Sequence, residues 1–309
     1  MTSAKIEKIY QKINKLREEK DVLILAHLYQ PLEIQHIADF CGDSFELAKR
    51  AKASDKKNII FCGVKFMAES AKIINPDKHI FAPVKDAGCA MADMITARDI
   101  EALKAQYPCA AVVCYINSSA ETKALCDMCV TSSNALKIVK NMPQKEIIFV
   151  PDKNLGSFIA ENVPEKDFHI YSGYCPVHQH ITAQVVKKVK EEHPDALFLV
   201  HPECEAEVVK MSDFAGSTSG IIDYAQKSDA KSFIIGTERA VFERLSEECP
   251  DKEFILLSDT LVCKDMKLVT LDTLLDTIQK LDDEVVIDKE TMDAARICLE
   301  NMLEAGSVK

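Results

Sequence analysis

Positive charge is scarce in this chain. Its 309 residues include 38 Lys and Arg against 49 Asp and Glu, giving a formal net charge of −11. Such a balance argues against nucleic acid or an anionic membrane as the main partner, since both repel an acidic surface, although a local cationic pocket remains open. Long apolar runs are missing too: no stretch approaches the ~20 residues needed to span a bilayer. The N-terminal MTSAKIEKIYQKINKLREE has no continuous apolar core. Its apolar residues Ile6, Ile9, Tyr10, Ile13 and Leu16 recur at helical spacing, which predicts an amphipathic helix rather than an export signal, and hence a cytoplasmic location. Cysteine, by contrast, is abundant, at 12 residues. Disulfides are rare in a reducing compartment, so some of these residues are expected to bind metal or do chemistry and the rest to fill the core.

The chain repeats itself three times. VLILAH (22–27) recurs as AAVVCY (110–115) and ALFLVH (196–201), so His27, Tyr115 and His201 are 88 and 86 residues apart. At matching offsets, GDS (42–44) pairs with VTS (130–132) and GST (216–218), and NIIF (58–61) with EIIF (146–149) and SFII (232–235). Thr96, Thr182 and Thr270 each open an amphipathic stretch, as helix N-caps do. Within the first unit the patterns predict helix 4–19, strand 22–26, helix 32–37, strand 38–41, helix 44–53, strand 58–62, helix 65–74 and strand 79–82. Strands of that length alternating with helices imply an α/β fold of small parallel sheets covered by helices. The expectation is three three-layer αβα domains, 1–94, 95–180 and 181–268, arranged around a pseudo-three-fold axis, with an open row of domains as the alternative. A C-terminal tail, 269–309, would hold helices at about 270–281 and 289–305, the second stopped by Gly306.

The repeat sorts the cysteines. Cys129 falls in a column with Cys41 and Ala215, Cys114 with Ala26 and Val200, Cys62 with Val150 and Gly236, and Cys126 with Ala38 and Ser212. These columns accept any small residue, so Cys126-x-x-Cys129 reads as packing rather than as a redox or zinc motif. Cys109, Cys204, Cys249 and Cys298 have no repeating partner. Only Cys89, Cys175 and Cys263 form an all-cysteine column, each after the last strand of its unit, at the sheet edge where open parallel sheets bind ligands. Three soft ligands more than 80 residues apart suit an iron–sulfur cluster better than a structural zinc site, which uses close pairs. A 4Fe–4S cluster takes four cysteines. With three, one iron is left open as a Lewis acid, which favours catalysis over electron transfer.

Each first strand ends in a polar pair at i, i+2: His27/Tyr29, Tyr115/Asn117 and His201/Glu203. Period two puts both members on one face if the strand persists. A lone histidine is more often a core residue, but a repeating polar column is hard to explain by packing. Ser44, Ser132 and the pair Ser217/Thr218 precede or open helices, where N–H groups and hydroxyls bind anions or simply cap. Three such sites would suit a small polyanionic substrate. Lys65, Lys153 and Arg239 also align, as local positive charge or as solvated first-turn residues.

At AHLYQ (26–30), GDS (42–44), YINSSAE (115–121), DMCVTSSN (127–134), PDKNLG (151–156), YCPVH (174–178), HPEC (201–204) and GSTSG (216–220) the chain closely resembles the quinolinate synthase family. The resemblance implies three α/β domains around a 4Fe–4S cluster, with Cys89, Cys175 and Cys263 as ligands. LVCKDM (261–266), with one cysteine, matches the family's shorter form. It also implies condensation of iminoaspartate with dihydroxyacetone phosphate to quinolinate, releasing phosphate and water on the route to NAD, with the imine supplied by an L-aspartate-oxidising enzyme. By position, Glu203 would be the general acid/base, helped by His201 and Tyr29. Tyr115 and Asn117 would orient the triose, and His27, Ser44, Ser132, Ser217 and Thr218 would hold carboxylate or phosphate groups. His178 would support the cluster. The rival readings are another Fe–S hydro-lyase on a polyanionic substrate, a non-catalytic Fe–S redox sensor, and a three-cysteine zinc protein.

Overall fold

The computed structural model describes residues 3–307. It contains three four-stranded parallel sheets. The first holds β1 (Val22–His27), β2 (Phe40–Gly42), β3 (Asn58–Cys62) and β4 (His79–Phe81). The second holds β5 (Ala111–Tyr115), β6 (Met128–Val130), β7 (Glu146–Val150) and β8 (Asp167–Ile170). The third holds β9 (Leu197–Val200), β10 (Phe214–Ala215), β11 (Ser232–Gly236) and β12 (Glu253–Leu256). Each sheet has the same order, second–first–third–fourth strand, and every pairing is parallel. The expected α/β class with small parallel sheets flanked by helices is therefore what the chain forms.

Polar side chains that recur in all three units explain why the copies fold alike. Asp39, Asp127 and Asp213 each accept the N–H of a first-strand residue, Ile24, Val112 and Phe198, at 2.8 Å. Lys78, Lys166 and Lys252, each just before a fourth strand, donate to carbonyls that end the helices Ser44–Ala53, Ala135–Asn141 and Thr218–Lys227, among them Ser54, Met142 and Ser228. The ammonium there satisfies carbonyls that have no partner within the helix. Thr96, Thr182 and Thr270 cap the helices Ala97–Gln106, Ala183–Glu192 and Leu271–Lys280 as expected. The first strands are buried on both faces: Ile24, Leu25, Val112, Val113, Phe198 and Leu199 have no exposed surface.

Two expectations need correction. The strand expected over 38–41 is Phe40–Gly42, because Asp39 spends both its backbone N–H and its side chain on Ile24. The last helix does not stop before Gly306. It runs Lys289–Ser307 with Gly306 inside it, where the missing side chain lets the helix pack on Phe45, whose ring a Cβ would meet at 2.7 Å. Both tail helices pack on the rest of the chain. Leu271, Leu274 and Ile278 pack with Ile9 and Ile13 of the first helix, while Ala295, Cys298, Leu299 and Met302 join the core of the second sheet.

Close packing makes one glycine testable. A Cβ at Gly236 would meet Phe198 Cε2 at 2.6 Å and the Leu199 carbonyl at 3.2 Å. Gly236→Ala should cost about 1–3 kcal/mol through overpacking, read as a lower denaturation midpoint. An unchanged midpoint would show that the third sheet yields more than this geometry allows.

Candidate active site

In an open parallel sheet ligands bind at the carboxyl ends of the strands, where connections leave in opposite directions. Here that place is the end of the first and third strand of each sheet, because the first strand lies between the second and third. The three ends supply the walls of one cavity. His27, Tyr29, Ser44 and Cys89 enter it from the first unit, Tyr115, Asn117, Ser132 and Cys175 from the second, and His201, Glu203, Thr218 and Cys263 from the third. Ser217 is outside the lining. It caps the helix Thr218–Lys227 by accepting the Gly220 N–H at 3.1 Å. Lys65, Lys153 and Arg239 are also outside it, facing Glu69, the Tyr174 ring and Asp259.

The polar pairs reach the cavity by a turn, not by the pleat. The strands end at His27, Tyr115 and Val200, and the N–H of Tyr29 and of Glu203 bonds back to Nδ1 of His27 (3.1 Å) and His201 (3.3 Å). With Nδ1 accepting, each neutral ring carries its proton on Nε2. Burial keeps both rings neutral. It lowers His27 to about 3, with Lys267 adding to the effect. His201 falls to about 4 through burial, although Glu203 pulls the other way. Burial also holds the Tyr29 and Tyr115 hydroxyls protonated, well above the usual phenol range.

A hydrogen-bonded chain crosses all three units. Thr218 Oγ1 donates to the Tyr29 hydroxyl (3.1 Å), which contacts Thr237 Oγ1 (3.1 Å). Thr237 Oγ1 lies 2.9 Å from His178 Nε2, and His178 Nδ1 lies 2.8 Å from Glu203 Oε2. One polarity satisfies every link: each hydroxyl donates onward, His178 accepts at Nε2 and donates at Nδ1, and the chain ends on the Glu203 carboxylate. Burial opposes charge on Glu203, but His201, His178 and the Tyr115 hydroxyl outweigh it and hold the group below the usual carboxylate range. His178 is fully buried, stacks on His201 at 5.0 Å, and lies 3.3 Å from Cys175 Sγ.

The three cysteine loops share one design. All three thiols are free and partly buried, and each Sγ faces the backbone N–H of the residue three positions on: Ala92, His178 and Met266. Burial pushes Cys89 up to about 12, Cys263 up to about 11 and Cys175 well up, so the thiolates need a further positive charge beside them. A second group of ligand atoms overlaps this one: Cys175, His178 and Glu203 lie within 4.8 Å of one another.

Sequence comparison agrees with this geometry. The family model for quinolinate synthetase A protein matches residues 11–304. The quinolinate synthase of Caldicellulosiruptor bescii is 50% identical over 301 residues, 97% of this chain and 99% of its own. That of Clostridioides difficile is 48% identical over 290 residues, 94% and 95% of the two chains. That of Geobacter metallireducens is 48% identical over 295 residues, 96% and 97%. The chain belongs to the quinolinate synthase family.

The site also contains groups that the motifs alone did not bring forward. Thr237 and Glu238 are fully buried at the end of β11, and Lys267 pairs with Glu238 at 3.0 Å while donating to the Tyr29 carbonyl at 2.7 Å. Asp152 is buried at the matching place after β7. Sequence signals existed, since both acids immediately precede a helix, but neither sits in a column of three like residues. No helix among the described residues is long and apolar enough to cross a membrane.

Proposed function

We propose that this chain condenses iminoaspartate with dihydroxyacetone phosphate to quinolinate, releasing phosphate and water, with a 4Fe–4S cluster held by Cys89, Cys175 and Cys263. The observation that carries the reading is the meeting of three repeat-related thiols and the Glu203 carboxylate in one cavity. The donor set fits the cluster: three soft sulfurs from three loops, each already offered a backbone N–H, in surroundings where a thiolate needs positive charge. Bound there with three protein ligands, the cluster supplies an iron that is open to substrate oxygen and acts as a Lewis acid.

The chain's own residues do the rest. Ser44, at the first turn of the helix Ser44–Ala53, and Ser132 offer hydroxyls to carboxylate or phosphate oxygens, and Thr218 offers the backbone N–H that opens the helix Thr218–Lys227. His27 and His201 donate from Nε2. Tyr115 and Asn117, on the second unit's wall, orient the triose. Glu203 Oε2 takes the proton lost as the carbon–carbon and imine bonds form and returns it to the departing hydroxyl, while the chain from Thr218 through Tyr29, Thr237 and His178 fixes the carboxylate in place. The domain division 1–94, 95–180 and 181–268 with a tail 269–309, the pseudo-three-fold arrangement, the cytoplasmic location and the supply of the imine by an L-aspartate-oxidising enzyme belong to the same proposal.

The test is anaerobic. Purified without oxygen, the protein should carry about four irons per chain and form quinolinate from dihydroxyacetone phosphate and freshly generated iminoaspartate. Iron without quinolinate would point to another polyanionic substrate or to a sensor. Zinc, or no metal, would remove the cluster from the reading.

A further inference from the structure

Two of the three cysteine loops are braced by a buried carboxyl group. Asp152 Oδ1 caps the helix Lys153–Asn162 through the Leu155 N–H at 2.6 Å, and its Oδ2 accepts the Cys175 N–H at 3.2 Å. Glu238 repeats the arrangement on the helix Arg239–Glu248: Oε2 accepts the Ala240 N–H at 2.7 Å and Oε1 the Cys263 N–H at 3.2 Å. Both side chains are fully buried. A simpler tether is common to all three units. Lys65, Lys153 and Arg239 donate their N–H to the carbonyls of Ala87, Gly173 and Leu261, each two residues before a cysteine. In the first unit the carboxyl position holds Val64, buried in the apolar core, so the fold does not itself require an acid there. Burying a carboxyl group is costly unless its hydrogen bonds are made. Here one oxygen of each serves the helix and the other serves a cysteine.

We infer that Asp152 and Glu238 are positioning residues for the metallocentre, fixing the loops of Cys175 and Cys263 through their backbone N–H groups before any metal arrives. The inference rests on the cysteine-ligand reading above. Sulfurs drawn from separate units must be placed within a fraction of an ångström for a shared cluster, and residues behind the ligands supply that placement. The Glu238 brace extends further, because Lys267 joins it to the Tyr29 carbonyl of the first unit.

Asp152→Asn and Glu238→Gln keep size and shape but turn one acceptor oxygen into an amide nitrogen, so one of the two N–H bonds must be lost. Hydrogen–deuterium exchange on the metal-free full chain reads this directly. The Cys175 amide should exchange about tenfold faster in Asp152→Asn, and the Cys263 amide about tenfold faster in Glu238→Gln, with the Cys89 amide unchanged in both. In the reconstituted proteins, iron should be lost to a ferrous chelator about tenfold faster, and the visible circular dichroism of the cluster should change. A role in helix capping alone would lower the melting temperature and leave cysteine exchange, iron loss and spectrum as in the wild type; that result overturns the inference. The variants lie in separate units, so either alone decides. If the wild type takes up no iron, the role at a metallocentre falls together with the cluster reading. Wild-type iron loading with unaltered variants overturns the brace alone.

Discussion

Replacing any one of Cys89, Cys175 and Cys263 by alanine should give a folded, colourless protein that retains no cluster and forms no quinolinate, whereas Cys126→Ala and Cys129→Ala should stay brown. The two groups differ in surroundings, not in burial alone. The first three thiols line the shared cavity, and each faces an N–H three residues on. Removing one leaves too few sulfurs, and among the described residues no fourth cysteine lines the cavity to take its place. Cys126 and Cys129 lie instead in the apolar core with Cys114 and Cys298. Cys129 faces Cys114 across β5 and β6, and Cys126 Sγ donates to the Thr122 carbonyl at 3.1 Å. Their loss should cost about 1–2 kcal/mol of stability, as small core deletions do, without touching iron. Iron and sulfide counts after anaerobic purification, with far-UV circular dichroism as the control for folding, separate the groups. Iron retained by Cys263→Ala and lost from Cys129→Ala would reassign the ligands.

The features written three times were legible in the sequence. Cys89, Cys175 and Cys263, the helix-opening threonines and the polar strand ends could be found because shared columns reveal which positions tolerate only one chemistry. The polar pairs line the cavity for a geometric reason other than strand alternation. Strand alternation was expected to project both members, but the backbone turns back onto His27 and His201, and a turn set by one ring nitrogen leaves no periodic trace. Groups used once were hidden. Thr237 shares its column with Gly63 and Pro151, and Glu238 shares its column with Val64 and Asp152, so neither column announces itself. Their partners come from other units: Thr237 meets Tyr29 from the first and His178 from the second, and Lys267 meets the Tyr29 carbonyl. Such contacts depend on how the three sheets are set against one another. Within a unit the sequence shows the repeated scaffold; the asymmetry between units, which carries the chemistry, appears only when they are brought together.

Glu203→Gln should lower kcat by about 10²–10⁴-fold, the usual contribution of a positioned acid or base, while leaving the iron content unchanged. Among the described residues two carboxylates line the cavity, Asp43 and Glu203. Asp43 is committed. One oxygen accepts the N–H groups of Phe45 and Glu46 to cap a helix, and the other accepts the Ser219 hydroxyl at 2.5 Å. Glu203 alone combines an ionised state with access to the reacting atoms, and its Oε2 receives the chain that begins at Thr218. The amide has nearly the same shape, and its oxygen can still accept from His178 Nδ1, so the chain and the walls should persist while the base is gone. KM should therefore move little compared with kcat. Stability should fall, because a carboxyl held below its usual range favours the folded chain when ionised, and the amide loses that contribution. A fall in kcat with iron content and far-UV circular dichroism as in the wild type would mark Glu203 as a charge kept for chemistry. Activity within about tenfold of wild type, less than a positioned base contributes, would transfer the proton to another group. The Tyr115 hydroxyl, which bonds Glu203 in the same cavity, would then be the next candidate.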